Sequence, residues 1–289
     1  TWPDTVNCIR RDFRAVTELM ADHPEVTFTH SQVPTYAVVE EYDPDVFAEV
    51  KKRMAEGRWE NAAATWVEGD LNMADGESIA RHMLYAGDWM REHLGSQARI
   101  LWEPDTFGHP GNMPQLARLG EVDAYFHMRC NPGREQPWPV RQWVGIDGTP
   151  IPAFSRNYNG TLEPEAVMEA LLSHIRHGHQ NGFCIWGIGD HGGALSRYQL
   201  DMLDAYRNKP VMPTFRFSTF GAYLEALQKE NVELPRQRGE TFHLFEGCFT
   251  THARIKWYNR KCESALLSAE TLCAMYGLPA RTTLREGWA

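Results

Sequence analysis

The side chains best suited to chemistry are carboxylates placed where apolar runs end. Glu68 and Asp70 follow "ATWV", Asp105 follows "ILWEP", and Asp190 with His191 follows "GFCIWGIG". Ser31-Gln32, Arg129 and Glu246 close three further runs. Like charges gathered in one cleft must share protons, bind a metal or pair with a cation, so a set of this kind points to acid–base or nucleophilic work. The plainer alternative is that strand ends meet water, where acidic residues are common.

The loop "WGIGDHGG" (186–193) carries two incompatible patterns. Gly187, Gly189 and Gly192 fit G-x-G-x-x-G, the spacing that lets a backbone wrap a pyrophosphate. That fingerprint needs its helix to start at the glycines, whereas the cap residue here is Ser196. It also needs an acidic residue about 20 positions on, where the chain reads "VMPTFRFST". Asp190 would further set a negative charge against the phosphates. The glycines are better read as a tight turn that aims Asp190 and His191 into a cleft.

The elements that carry these groups follow from apolar spacing. Val6, Ile9, Phe13, Val16, Leu19 and Met20 recur at helical intervals over 4–21, and a β-rich stretch follows at 26–31. The unit repeats: helix 44–56 then strand 62–68, helix 78–94 then strand 98–104, helix 113–119 then strand 122–129. A hairpin over 141–156 turns at Asp147-Gly148. Helix 164–176 precedes strand 182–190, and helices 197–206 and 220–229 precede strand 241–247. Such alternation specifies a mostly parallel sheet wrapped by helices, either a barrel or an open α/β sheet, with its functional groups at the carboxyl ends of the strands. A long helix over 254–276 closes the pattern. The chain starts inside a helical pattern and stops soon after this last helix, as a piece of a longer protein would.

The 289 residues are 43% hydrophobic, enough for a substantial core, and carry a net charge of -9. That charge argues against nucleic-acid and anionic-membrane partners, which need a basic face. The six cysteines form no C-x-x-C pair, so they signal neither a zinc knuckle nor a disulfide framework. No apolar run reaches the length of a membrane span and no secretory signal stands at the start. The expected location is cytoplasmic.

"ILWEPDTFGHPGNMPQL" (100–116) resembles the signature of the family 38 glycoside hydrolases, the class II α-mannosidases, in which a strand ends in W-x-P-D-x-F-G. The stretch 28–84, with "EGRWE", "WVEGD" and "GES", is similar to a second landmark of that family. "GIGDHGG" and "FEGCFTTHARIKWYNRKCE" resemble later landmarks of its bacterial and fungal branch. The resemblance implies a distorted, mostly parallel seven-stranded β/α barrel-like domain over 1–250 and the start of an α-helical bundle over 251–289. It also implies a retaining exo-α-mannosidase, acting on terminal α-D-mannosyl residues of a glycan with a divalent metal, usually zinc.

Under that resemblance Asp105 is the nucleophile that captures the anomeric carbon, and also a metal ligand. Asp190 is favoured as acid/base, with His191 as its competitor. Phe107 is a wall for the sugar and Arg129 a cation beside the nucleophile. Glu68 and Asp70 are substrate-binding candidates by their place at a strand end, and Trp102, Trp66 and Trp186 could offer flat faces to a sugar, though core packing is the commoner use of such tryptophans. The other metal ligands of the family, a His-x-Asp pair and a later histidine, are expected before Thr1 and after Ala289, so only Asp105 of four is present and the piece by itself is expected to lack metal and activity. The glycine loop departs from the family in reading "GGALS" where "GGGPT" is usual. His109, so near Asp105, is a loop histidine that the family does not need. A deacetylase-like metal-dependent hydrolase and a non-catalytic carbohydrate-binding relic are the rival readings, and a homo-oligomer is compatible with all three.

Overall fold

The computed structural model describes residues 2–130, 138–158, 160, 162–188, 195–242, 246–279 and 281–288. Helix α1 (Trp2–Asp22) leads to strand β1 (Phe28–His30), and helices α2 (Val33–Tyr42) and α3 (Pro44–Ala55) lead to β2 (Trp59–Asn61). Helix α4 (Gly76–Leu94) precedes β3 (Ile100–Trp102), and α5 (Met113–Leu119) precedes β4 (Ala124–His127). The hairpin β5 (Val140–Val144) and β6 (Pro150–Ser155) follows, then α6 (Pro164–Ile175), α7 (Arg197–Tyr206), α8 (Phe220–Glu230) and β7 (Arg236–Arg238). A short 3-10 helix (Glu246–Phe249), α9 (Ala253–Tyr276) and α10 (Arg281–Trp288) complete the chain.

The α/β class holds, and the described strands are mostly parallel but fall into two sheets. Among the described residues β1 and β2 pair parallel by themselves, and the other five strands stand in the order β3-β4-β6-β5-β7, with β5 antiparallel to β6. An isolated antiparallel bridge, Ala63 to Leu101, links the two sheets among the described residues.

Several boundaries differ from the sequence pattern. The second strand lies at 59–61 rather than 62–68, because buried Trp59 packs edge-on against Phe28 across the β1–β2 pair (4.7 Å) while Ala62–Ala64 bring no side chain that favours a strand. Helix α2 is invisible to pattern reading, since its Val-rich run lacks a polar face, yet Pro34 sits in its first turn, where a missing N–H costs nothing. Strand β7 is all polar and is created only by the edge of β5. Residues 182–186 form no strand, although Phe183 and Ile185 pack toward one apolar cluster and Cys184 and Trp186 toward another, as strand alternation would place them. In the stretch 241–247, Thr241 makes one isolated bridge to His109, and Glu246 opens the 3-10 helix.

Other expectations hold in detail. The hairpin turns at Gly148, whose φ is 93°, with the Asp147 carboxylate accepting from the Thr149 N–H at 3.0 Å. Ser196 caps α7, and Gly95 ends α4 in the left-handed conformation. The core divides into four clusters: one packs α1, α2 and α3 on β1 and β2, a second lies between α4, α5 and the sheet, a third lies under α8, and a fourth joins α6 to α7. No described helix is long and apolar enough to cross a membrane.

Candidate active site

The residues that matter sit where β3 ends. Along β3 the side chains alternate, so Ile100 and Trp102 pack under α8 while Leu101 faces the α4–α5 side. The same alternation turns Glu103 inward, and it is fully buried. Pro104 then breaks the strand and Asp105 emerges half-exposed, its side chain 45% accessible.

Asp105 is held from two directions. Glu68 Oε1 accepts the backbone N–H of Asp105 at 2.5 Å and that of Thr106 at 2.9 Å, so one carboxylate fixes the backbone on which the Asp105 side chain stands. Arg129, from the end of β4, donates its Nε–H to Asp105 Oδ1, and its guanidinium lies 5.4 Å from the centre of the Phe107 ring. Glu68 is in turn set by Gln32, whose side-chain oxygen accepts the Glu68 N–H at 3.0 Å. Gln32 adopts a left-handed φ of 77° to do so, a strained conformation of the kind that collects around functional sites.

Behind this layer lies a second acid. Glu103 Oε1 accepts from the Thr65 hydroxyl at 2.9 Å, and Glu103 Oε2 is 3.0 Å from the Thr106 hydroxyl. Burial pushes the Glu103 carboxyl well above the usual carboxylate range, and the neighbouring Glu68 charge adds to the shift. Burial also raises Glu68, with the Asp105 charge pushing the same way and the N–H donors pulling it back. The pair therefore favours a protonated acid on the inside, with charge kept nearer the surface.

The glycine after Phe107 is required by contact. At Gly108, with φ of 151°, a Cβ would fall 2.0 Å from the Asn72 side-chain nitrogen and 2.5 Å from the Phe242 ring.

The sequence-derived candidates thus divide. Asp105, Arg129, Phe107 and Glu68 come together. Asp70 stands exposed at the rim, its carboxyl raised by partial desolvation and pulled back by Lys256 of α9. Trp102 is half-buried with one face stacked on Phe126 (3.9 Å, 13°), and Trp66 and Trp186 pack against the first core cluster. Asp190 and His191 lie outside the described residues. His109 is not a polar loop residue: it is fully buried, with Nδ1 2.7 Å from the Tyr125 hydroxyl. Sequence reasoning missed Glu103, Thr65 and Thr106; the signal was present in "ILWEP", where strand alternation points the acid at position 103 into the interior.

Rigid anchoring of one half-exposed carboxylate, while Glu68 and Glu103 turn inward, belongs to the class of α/β enzymes that work from the carboxyl ends of their strands. Residues 1–248 match the Glycosyl hydrolases family 38 N-terminal domain, and the chain belongs to that family. It is 28% identical over 286 residues to Alpha-mannosidase 2C1 of Mus musculus, and 27% identical over 292 residues to the Alpha-mannosidase of Saccharomyces cerevisiae. These alignments cover 95% and 94% of the chain but 27% of each relative. The fold resembles that of an alpha-mannosidase from Enterococcus faecalis V583, with a TM-score of 0.70 at 22% identity, covering 83% of this chain and 29% of that one. The chain thus spans about a quarter of the length of the curated relatives it matches.

A divalent metal does not fit the described residues by themselves. No three His, Cys, Asp or Glu side chains among them come together as a ligand set, and Asp105 alone cannot close a coordination shell.

Proposed function

We propose that the protein carrying this chain is a retaining exo-α-mannosidase that removes terminal α-D-mannosyl residues from mannose-containing glycans. The observation that supports this most is the immobilised Asp105: a half-exposed carboxylate whose backbone is tied to Glu68 and whose Oδ1 meets Arg129. A nucleophile in a double displacement must hold one oxygen at the anomeric carbon through both steps. In this reading Asp105 attacks C1 and forms a glycosyl-enzyme, while Arg129 orients the other oxygen and Phe107 lines the sugar's edge. Asp190 then serves as the acid that protonates the leaving oxygen and as the base that activates water, with His191 as its alternative. Closure of the strands into one seven-stranded barrel, a metal whose remaining ligands come from outside 1–289, and a reducing cytoplasmic location, with which six cysteines outside any disulfide are consistent, belong to the same proposal.

Asp105→Asn in the intact protein tests it. Turnover of an aryl α-mannoside should fall on the order of 10⁴-fold or more, and a 2-deoxy-2-fluoro mannosyl inactivator should label Asp105 in the parent enzyme, as read by peptide mass spectrometry. A label on another side chain, or an Asp105→Asn variant that keeps its turnover, contradicts the assignment.

A further inference from the structure

The cation that grips Asp105 is itself held through its backbone. Strand β4 ends at His127, and the chain then turns sharply: the N–H groups of Met128 and Arg129 both donate to the Pro104 carbonyl at 3.1 Å, and Cys130 takes a left-handed φ of 57°. A residue other than glycine keeps such a conformation only where surrounding contacts enforce it. His127 supplies one of them, since its Nδ1 lies 2.8 Å from the Arg129 carbonyl, two residues on. The His109 ring faces the same carbonyl.

Arg141 decides the direction of the His127 bond. Its Nη2 meets His127 Nε2, and a guanidinium has hydrogens to donate but no lone pair to offer. Nε2 is therefore the accepting nitrogen, a second ring proton being disfavoured beside that cation. The single proton sits on Nδ1 and is donated to the Arg129 carbonyl. Arg141 is set in turn by Gln237 of β7, whose side-chain oxygen accepts from Arg141 Nε. His127 and Arg141 are both 0% exposed, so solvent does not compete for either bond. The imidazole thus fixes the backbone from which the Arg129 side chain starts, and from there the guanidinium reaches Asp105 Oδ1 and also meets Tyr158.

We propose that His127 is a positioning residue for Asp105: locked by Arg141 as the Nδ1–H tautomer, it ties the Arg129 carbonyl and so aims the Arg129 side chain at the carboxylate. The kinetic consequence rests on the reading of Asp105 as the nucleophile of a mannosidase. The geometric consequence stands without it.

The test compares three variants of the intact protein by crystallography and by steady-state kinetics on an aryl α-mannoside. His127→Leu removes the donor, and the Arg129 guanidinium should leave Asp105 while kcat falls on the order of 10- to 100-fold with KM held. His127→Asn keeps an N–H near the Nδ1 position and should recover most of kcat and the Arg129–Asp105 contact. His127→Gln carries its amide toward Arg141 instead, and should resemble His127→Leu. A guanidinium that stays on Asp105 in His127→Leu overturns the proposal, as does a kcat that ranks the variants by melting temperature alone, the outcome for a histidine that only supports the fold. If His127→Leu does not fold, the Asn and Gln variants decide: equal kcat and equal Arg129 placement reject the role of Nδ1. A parent protein that turns over no α-mannoside sinks the mannosidase reading and leaves the Arg129 placement in the crystals to decide this one.

Discussion

At the scale of single residues, Glu68 changes meaning between sequence and structure. Its place at a strand end makes it a sugar-binding candidate, yet one of its oxygens is spent on the N–H groups of Asp105 and Thr106. If Asp105 is the nucleophile and that tie positions it, Glu68→Ala in the intact protein should lower kcat by about 10²-fold, the cost of a displacement near 1 Å. KM should change little. Glu68→Gln keeps an acceptor oxygen and should recover most of the loss. Steady-state kinetics on an aryl α-mannoside read the split; a rise in KM with kcat intact would instead return Glu68 to direct sugar binding.

At the scale of elements, charged and polar groups inside the fold decide how helices dock. Glu60 of β2 accepts the N–H groups of Phe220 and Gly221 at 2.8 and 2.7 Å, so a carboxylate meets the positive end of α8. Helix α6 is docked differently, through the fully buried His174, whose Nδ1 is 2.7 Å from the Ala170 carbonyl and whose ring packs on Phe183. Burial lowers His174 from 6.5 to about 4. Between those values the unfolded chain binds a proton that the folded chain refuses, so this histidine's contribution is complete above pH 6.5 and is lost as pH falls toward 4. The slope is at most about 1.4 kcal/mol per pH unit. His174→Phe should flatten the decline in urea-determined stability across that window relative to the parent. An unchanged slope would show that the ring already titrates freely.

At the scale of the whole molecule, α9 stands apart from the four core clusters. Ile255, Trp257, Tyr258, Leu272, Met275 and Tyr276 on it are all exposed by half or more, an unusual density of large apolar groups on a surface. The helix is attached instead by polar contacts: Glu263 Oε1 accepts from the Asp75 N–H at 3.1 Å and the Ser78 hydroxyl at 2.8 Å at the start of α4, and Arg81 grips Glu270 at 2.7 Å. Glu263→Ala leaves those donors unmet and should cost about 1–3 kcal/mol, read as faster amide exchange across α9 with β3 to β6 unchanged. Equal acceleration in the sheet would mean that α9 is part of the core's cooperative unit.

The sequence by itself determined what depends on local spacing and chain geometry. The α/β alternation, the hairpin at Asp147-Gly148, the cap at Ser196, the end of α4 at Gly95 and the placement of Asp105 at the end of a strand all follow from patterns within a few residues. Tertiary structure alone decided what depends on distant partners. The pairing of Gln32 with Glu68, the tie from Glu68 to the Asp105 backbone, the burial of Glu103 against Thr65, and the division into two sheets join positions tens of residues apart. Hydrophobic period tells which face of an element is buried, but not which polar group waits there to meet it, because that depends on the register between elements.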